Sequence, residues 1–114
     1  MTNEDLQAYF KALGLGGDII VAPDQSRFIV ARGYTITRGS LTGKSCDVAL
    51  QWSQAFPYVP APAIHTRPHL IPMGTRNTQG SQLVPDWQYW SRRMGAPPTP
   101  KTVLAHVATV LGEV

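Results

Sequence analysis

An α+β fold, with an N-terminal helix, a four-stranded antiparallel meander, a long irregular loop and a C-terminal helix, is what three features of this sequence predict. Apolar residues recur at helical spacing near both ends, apolar and polar residues alternate with a period of two between them, and Gly and Pro, ten of each in 114 residues, punctuate the chain without a repeat. A chain of this length is one domain's worth, so residues 1–114 are expected to share a single core.

The first helix is expected over residues 3–13. Thr2 stands at the N-cap, Glu4 and Asp5 make an acidic first turn, and Leu6, Tyr9, Phe10 and Leu13 share a face before Gly14 ends the run. Ile19–Val21 and Phe28–Val30, joined by the turn residues Pro23-Asp24-Gln25-Ser26, predict a hairpin of strands 18–22 and 27–37. From Cys46 to Trp52 the residues Cys46, Val48, Leu50 and Trp52 alternate with Asp47, Ala49, Gln51 and Ser53, which predicts a half-buried third strand with Cys46 facing inward. The prolines at 57, 60 and 62 then fix φ and hold their neighbours extended, a stiff crossover into a short fourth strand at 63–66. Residues 67–86 carry Pro68, Pro72, Gly74, Asn77, Gly80 and Pro85 and no periodicity, so they are expected to form an irregular loop of about twenty residues, a length usually functional or disordered. Beyond the cluster Trp87, Tyr89 and Trp90, Thr99 and Pro100 open a helix over 100–112 whose stripe is Val103, Leu104, Val107, Val110 and Leu111.

Composition narrows the function classes. Apolar residues at 43% and charged residues at 15% predict a folded chain rather than a disordered one. The net charge of +3 is uneven: residues 1–24 hold four carboxylates against Lys11, and residues 25–114 hold nine bases against Asp47, Asp86 and Glu113. No basic run, metal-knuckle spacing or aromatic-basic alternation accompanies that excess, so nucleic acid is not an expected partner. The single cysteine, Cys46, excludes an intramolecular disulfide and any CxxC half-site, and the three His residues lack acidic partners at ligand spacing, so no metal and no cofactor are expected. MTNEDLQAYF has no charged-then-apolar leader pattern, and no run approaches the roughly 18 apolar residues of a spanning helix. A cytoplasmic protein without membrane contact is the expectation.

Two motifs carry a resemblance. Phe56-Pro57-Tyr58-Val59-Pro60-Ala61-Pro62 resembles the "FPxxYPxxPP" crossover of ubiquitin-conjugating enzymes, and Trp90-Ser91 followed by Thr99-Pro100-Lys101-Thr102-Val103-Leu104 resembles their "WSPALT…VL" segment. Trp87-Gln88-Tyr89-Trp90-Ser91-Arg92-Arg93 is similar to the "WQRWSRH" ending of the prokaryotic UBC-like family E, found in bacterial ubiquitin-like conjugation operons. The resemblance runs from about Leu6 to Leu111. It implies a UBC-like fold, and as partners a ubiquitin-like modifier and an activating-enzyme-like protein. It also implies a binding role for Tyr58, Trp87, Trp90, Arg92 and Arg93, the two arginines suiting an acidic surface or a C-terminal tail.

The chain departs from that family where its chemistry sits. A conjugating enzyme needs a thiolate roughly eight residues before the Trp-Ser pair, and that count lands on Gln82 beside Ser81, with no cysteine after Arg67. The "HPN" motif is also incomplete, with Arg67-Pro68-His69 and Asn77 in its region. Two outcomes are open within the resemblance. Ser81, or failing it Thr78 or Thr75, accepts the modifier as an oxyester with His69 or His65 as base and Asn77 as oxyanion stabiliser, or the chain is a non-catalytic variant that binds a modifier or a partner enzyme. Each residue also has a plain structural role: Ser81 as a turn residue, His65 and His69 as hydrogen-bonded groups, His106 beside the helix stripe, and the tryptophans as core anchors. Outside the resemblance stands a small α+β interaction or structural module whose Pro-rich crossover is only a rigid turn.

Overall fold

The computed structural model describes residues 1–114. Helix α1 spans Asn3–Ala12 and opens with a reciprocal capping box, the Thr2 hydroxyl accepting from the Asp5 N–H and the Asp5 carboxylate accepting from the Thr2 N–H. The hairpin is β1 (Gly16–Val21) and β2 (Arg27–Thr35), followed by β3 (Ser45–Gln51) and β4 (Ala63–Arg67). These four pair antiparallel in sequence order, as the alternation predicts, although β2 stops at Thr35 rather than residue 37.

The segment 67–86 is not one irregular loop. It contains β5 (Thr78–Gly80), and Gln88–Ser91 forms β6, so the antiparallel sheet has six strands in the order β1-β2-β3-β4-β6-β5. β6 inserts between β4 and β5, pairing Ile64 with Trp90 on one side and Thr78 with Trp90 on the other. Helix α2 (Pro100–Leu111) closes the chain, with Thr99 capping and Pro100 at its first turn.

Both helices lie on one face of the sheet. There Leu6 and Phe10 of α1 and Val103, Val107, Val110 and Leu111 of α2 bury Ile29, Ala31, Cys46, Val48, Leu50, Ile64 and Trp90. Gly17, in the left-handed region, lets β1 approach α1 closely, since a Cβ there would lie 2.6 Å from the Gln7 carbonyl oxygen. The other face carries the alternate residues Ala22, Phe28, Val30 and Ala49, and it is covered by a strap, residues 81–87, through Leu83 and Trp87. The crossover between β3 and β4 is fastened to the start of α1: Asn3 Nδ2 donates to Ser53 O and Ser53 N donates to Asn3 Oδ1, each at 2.9 Å. No helix is long and apolar enough to cross a membrane.

Candidate functional site

Pairing of β4, β6 and β5 brings His65 and Ser81 together. Ser81 is the neck of the strap: its N–H donates to Trp87 O, its carbonyl accepts from Val84 N, and its Oγ accepts from Leu83 N at 3.0 Å. The same Oγ stands 2.7 Å from His65 Nδ1. Nδ1 is the acceptor within reach of that hydroxyl, so Ser81 donates to it. His65 presents its ring edgewise to Phe28 and Tyr89, with centroids 4.9 and 5.3 Å away. Burial of this imidazole, 2% exposed, pushes its pKa down to about 4 and keeps it neutral at physiological pH. The pair therefore has a nucleophile and a base at hydrogen-bond distance, but Ser81 is only 3% exposed and its Oγ is engaged on both sides.

His69, the base named first from sequence, does not reach Ser81's hydroxyl. Its Nε2 lies 3.2 Å from Trp87 O, an acceptor only, so Nε2 donates there. Asn77 is exposed on a turn with positive φ, its carbonyl accepting from Ser91 N, and it faces a polar hollow shared with Gly74, Gln79 and Tyr89. Ser81, His69 and Asn77 thus occupy three different environments and make no common site. The hydroxyls of Thr75 and Thr78 donate to backbone carbonyls, those of Pro72 and Thr75.

Four of the five residues given a binding role are structural. Tyr58, Trp87 and Trp90 are buried, Trp90 completely, with its Nε1 donating to Thr66 Oγ1 at 2.9 Å. Burial pushes the Tyr58 phenol up to about 12. Arg92 is tied to Glu113, Ser91 O and Arg76 O, which leaves Arg93 as the exposed member of the set. Cys46 faces the core as its strand parity predicts, and burial, with Asp47 beside it, pushes the thiol up to about 12, so it stays protonated and unreactive at neutral pH.

Beside the strap lies an open cleft of about 580 Å³, walled by Gly33 of β2, Ser45–Asp47 of β3, Arg67-Pro68-His69 at the exit of β4, and Asp86. An alternating charge ladder crosses four strands and contributes Asp47 and Arg67 to the cleft wall. Arg32 pairs with Asp18 at 2.8 Å and reaches Asp47 at 3.5 Å, and Arg67 pairs with Asp47 at 2.7 Å. The Arg67 guanidinium stacks over Trp87, 4.8 Å from the ring centre. Burial raises the Asp47 carboxyl, but the hydrogen bonds from Arg67 and from the Gly33 N–H outweigh it and hold the group below the usual carboxylate range.

Two features escaped the sequence reading. Gln88, completely buried, uses its amide to hold the segment after β4, accepting from Leu70 N and donating to Ile71 O and Thr78 Oγ1. Phe56, 85% exposed, and Val59, 58% exposed, project from the crossover. The Pro-rich pattern does not separate them from Tyr58, which lies between them and is buried. No family model, no curated protein and no solved structure matches this chain. No group of three or more His, Cys, Asp or Glu side chains is placed to hold a metal ion.

Proposed function

We propose that this chain is a UBC-like, non-catalytic binding variant of a bacterial ubiquitin-like modification system, acting in the cytoplasm on a modifier or its activating-enzyme-like partner. The observation that carries the reading is the condition of the nucleophiles. The only thiol is in the core and held protonated, and the hydroxyl nearest the position where the family carries its thiol is buried at the neck of the strap with both of its hydrogen-bonding sides occupied. An acyl carrier needs an exposed nucleophile that a large partner's C-terminus can reach. Support for the family itself is the order of elements: helix, antiparallel meander, Pro-rich crossover between β3 and β4, Trp-Ser pair, amphipathic helix.

The docking face in this reading is the crossover. Phe56 and Val59 stand out from a segment that is fastened to α1, so they offer a rigid apolar contact of the kind that anchors protein interfaces. The test is incubation with ATP, a bacterial ubiquitin-like modifier and its activating-enzyme-like protein, read by intact-mass spectrometry and by co-purification. A non-covalent complex without an adduct, lost in Phe56→Asp, is expected. An adduct abolished by Ser81→Ala would make the chain an oxyester-forming enzyme, and the absence of both adduct and complex would remove the reading altogether.

A further inference from the structure

We propose that the cleft beside the strap is a binding site for a primary alkylammonium group, carried either by a lysine side chain or by a free diamine. The inference goes beyond the reading above and is independent of it, since Phe56 and Val59 take no part in the cleft.

It follows from which polar groups in the walls are already claimed. Asp47 has one oxygen occupied by the Gly33 N–H, and the other by Arg67 with Arg32 close by. Arg67 is neutralised by that contact and covered on one side by Trp87, so the cleft presents no free cation to an anionic ligand. His69 lines the cleft and is tied through Nε2 to Trp87 O. Asp86 is exposed, and its carboxylate takes part in neither a salt bridge nor a hydrogen bond. What remains open is the Asp86 carboxylate and the Ser45 hydroxyl, in a cleft whose charged side chains, Asp47, Asp86 and Arg67, sum to a negative balance.

A small cation with several N–H donors satisfies that set. An ammonium offers three, which suit a carboxylate and a hydroxyl, and its alkyl stem has the Pro68 ring as an apolar wall. A metal ion fits less well, because no three ligating side chains converge anywhere in the fold. A carboxylate ligand would meet Asp47 and Asp86 with only a neutralised Arg67 to compensate.

The experiment is a ¹H–¹⁵N titration of the intact chain with cadaverine, with Nα-acetyl-lysine methylamide, and with glutarate as an anion of matching length. Saturable shifts at Ser45, Asp47, His69 and Asp86 are expected with the amines and not with glutarate, and Asp86→Asn should weaken them about tenfold, as losing a charged hydrogen-bond acceptor does. Asp86 is exposed, so the variant keeps its fold, which its own spectrum verifies. Tighter binding of the lysine derivative points to a protein side chain as the natural ligand, and tighter binding of cadaverine points to a free diamine. Amine shifts that never saturate, that persist in Asp86→Asn, or that glutarate reproduces would each overturn the proposal.

Discussion

His65 illustrates how a titratable group is made part of a core. Enclosed by Phe28, Tyr89 and the Ser81 hydroxyl, it titrates near 4 in the fold and near 6.5 when unfolded, so the unfolded chain binds more protons at every pH between those values. Stability should therefore fall as the pH drops from about 6.5 to about 4, by roughly 3 kcal/mol from this residue. Asp47 works in a lower window. Its folded pKa lies below its unfolded one, so its contribution is present above about pH 4 and is lost only below it. Urea midpoints measured between pH 7 and pH 4.5 separate the two, and a flat profile over that range would show that His65 accepts its proton in the folded state. At neutral pH, Ser81→Ala should cost about 1–3 kcal/mol, because it leaves the Leu83 N–H and the imidazole nitrogen buried without their partner.

Among the elements, α2 shows what a sequence pattern transmits well and where it overreaches. Val103, Val107, Val110 and Leu111 are buried as their spacing predicts, whereas Leu104 lies at the margin of the stripe and is half-buried. Val107→Asp should accordingly lower stability by several kcal/mol in urea unfolding, and Leu104→Ala by only about 1–2 kcal/mol. Equal losses would mean that α2 sits rotated on the sheet. β6 was illegible for a specific reason: its inward positions are Gln88 and Trp90, and a buried Gln breaks the apolar alternation by which a strand is recognised. β5, three residues of Thr, Gln and Gly, has no pattern of its own and exists as the partner of β6. The same pairing explains the candidate site. Ser81 and His65 were both legible as chemistry-bearing residues, yet which histidine meets Ser81 depends on β4 lying beside β6, and the cleft draws on four segments that only the sheet brings together. Gln88→Ala should release the segment after β4, seen as faster amide exchange at Leu70 and Ile71 while the α2 amides stay protected.

At the scale of the whole molecule, the two faces of the sheet are closed by different means. Two capped helices cover one face, so each buried side chain there is held by a cooperative element. A strap without regular structure covers the other, and its hold depends on Leu83 and Trp87 in the apolar pocket, the Ser81–His65 contact at its neck, and the stacking of Arg67 on Trp87. Opening the strap would cost few backbone hydrogen bonds and would uncover Phe28, Val30 and Ala49 together, so it is the segment where a sub-global opening takes the least free energy. Leu83→Asp places an unpaired charge against that apolar face and should lift the strap with the sheet and helices still formed. The expected signature is rapid amide exchange at Leu83 and Val84, binding of an apolar dye to the uncovered face, and retained protection in β2, β3 and both helices. The same variant should also shift the resonances of Asp86, because that residue joins the strap to the cleft wall. If Leu83→Asp instead unfolds all parts of the chain in one transition, the strap belongs to the cooperative core, and Ser81 is reached only when the whole domain opens.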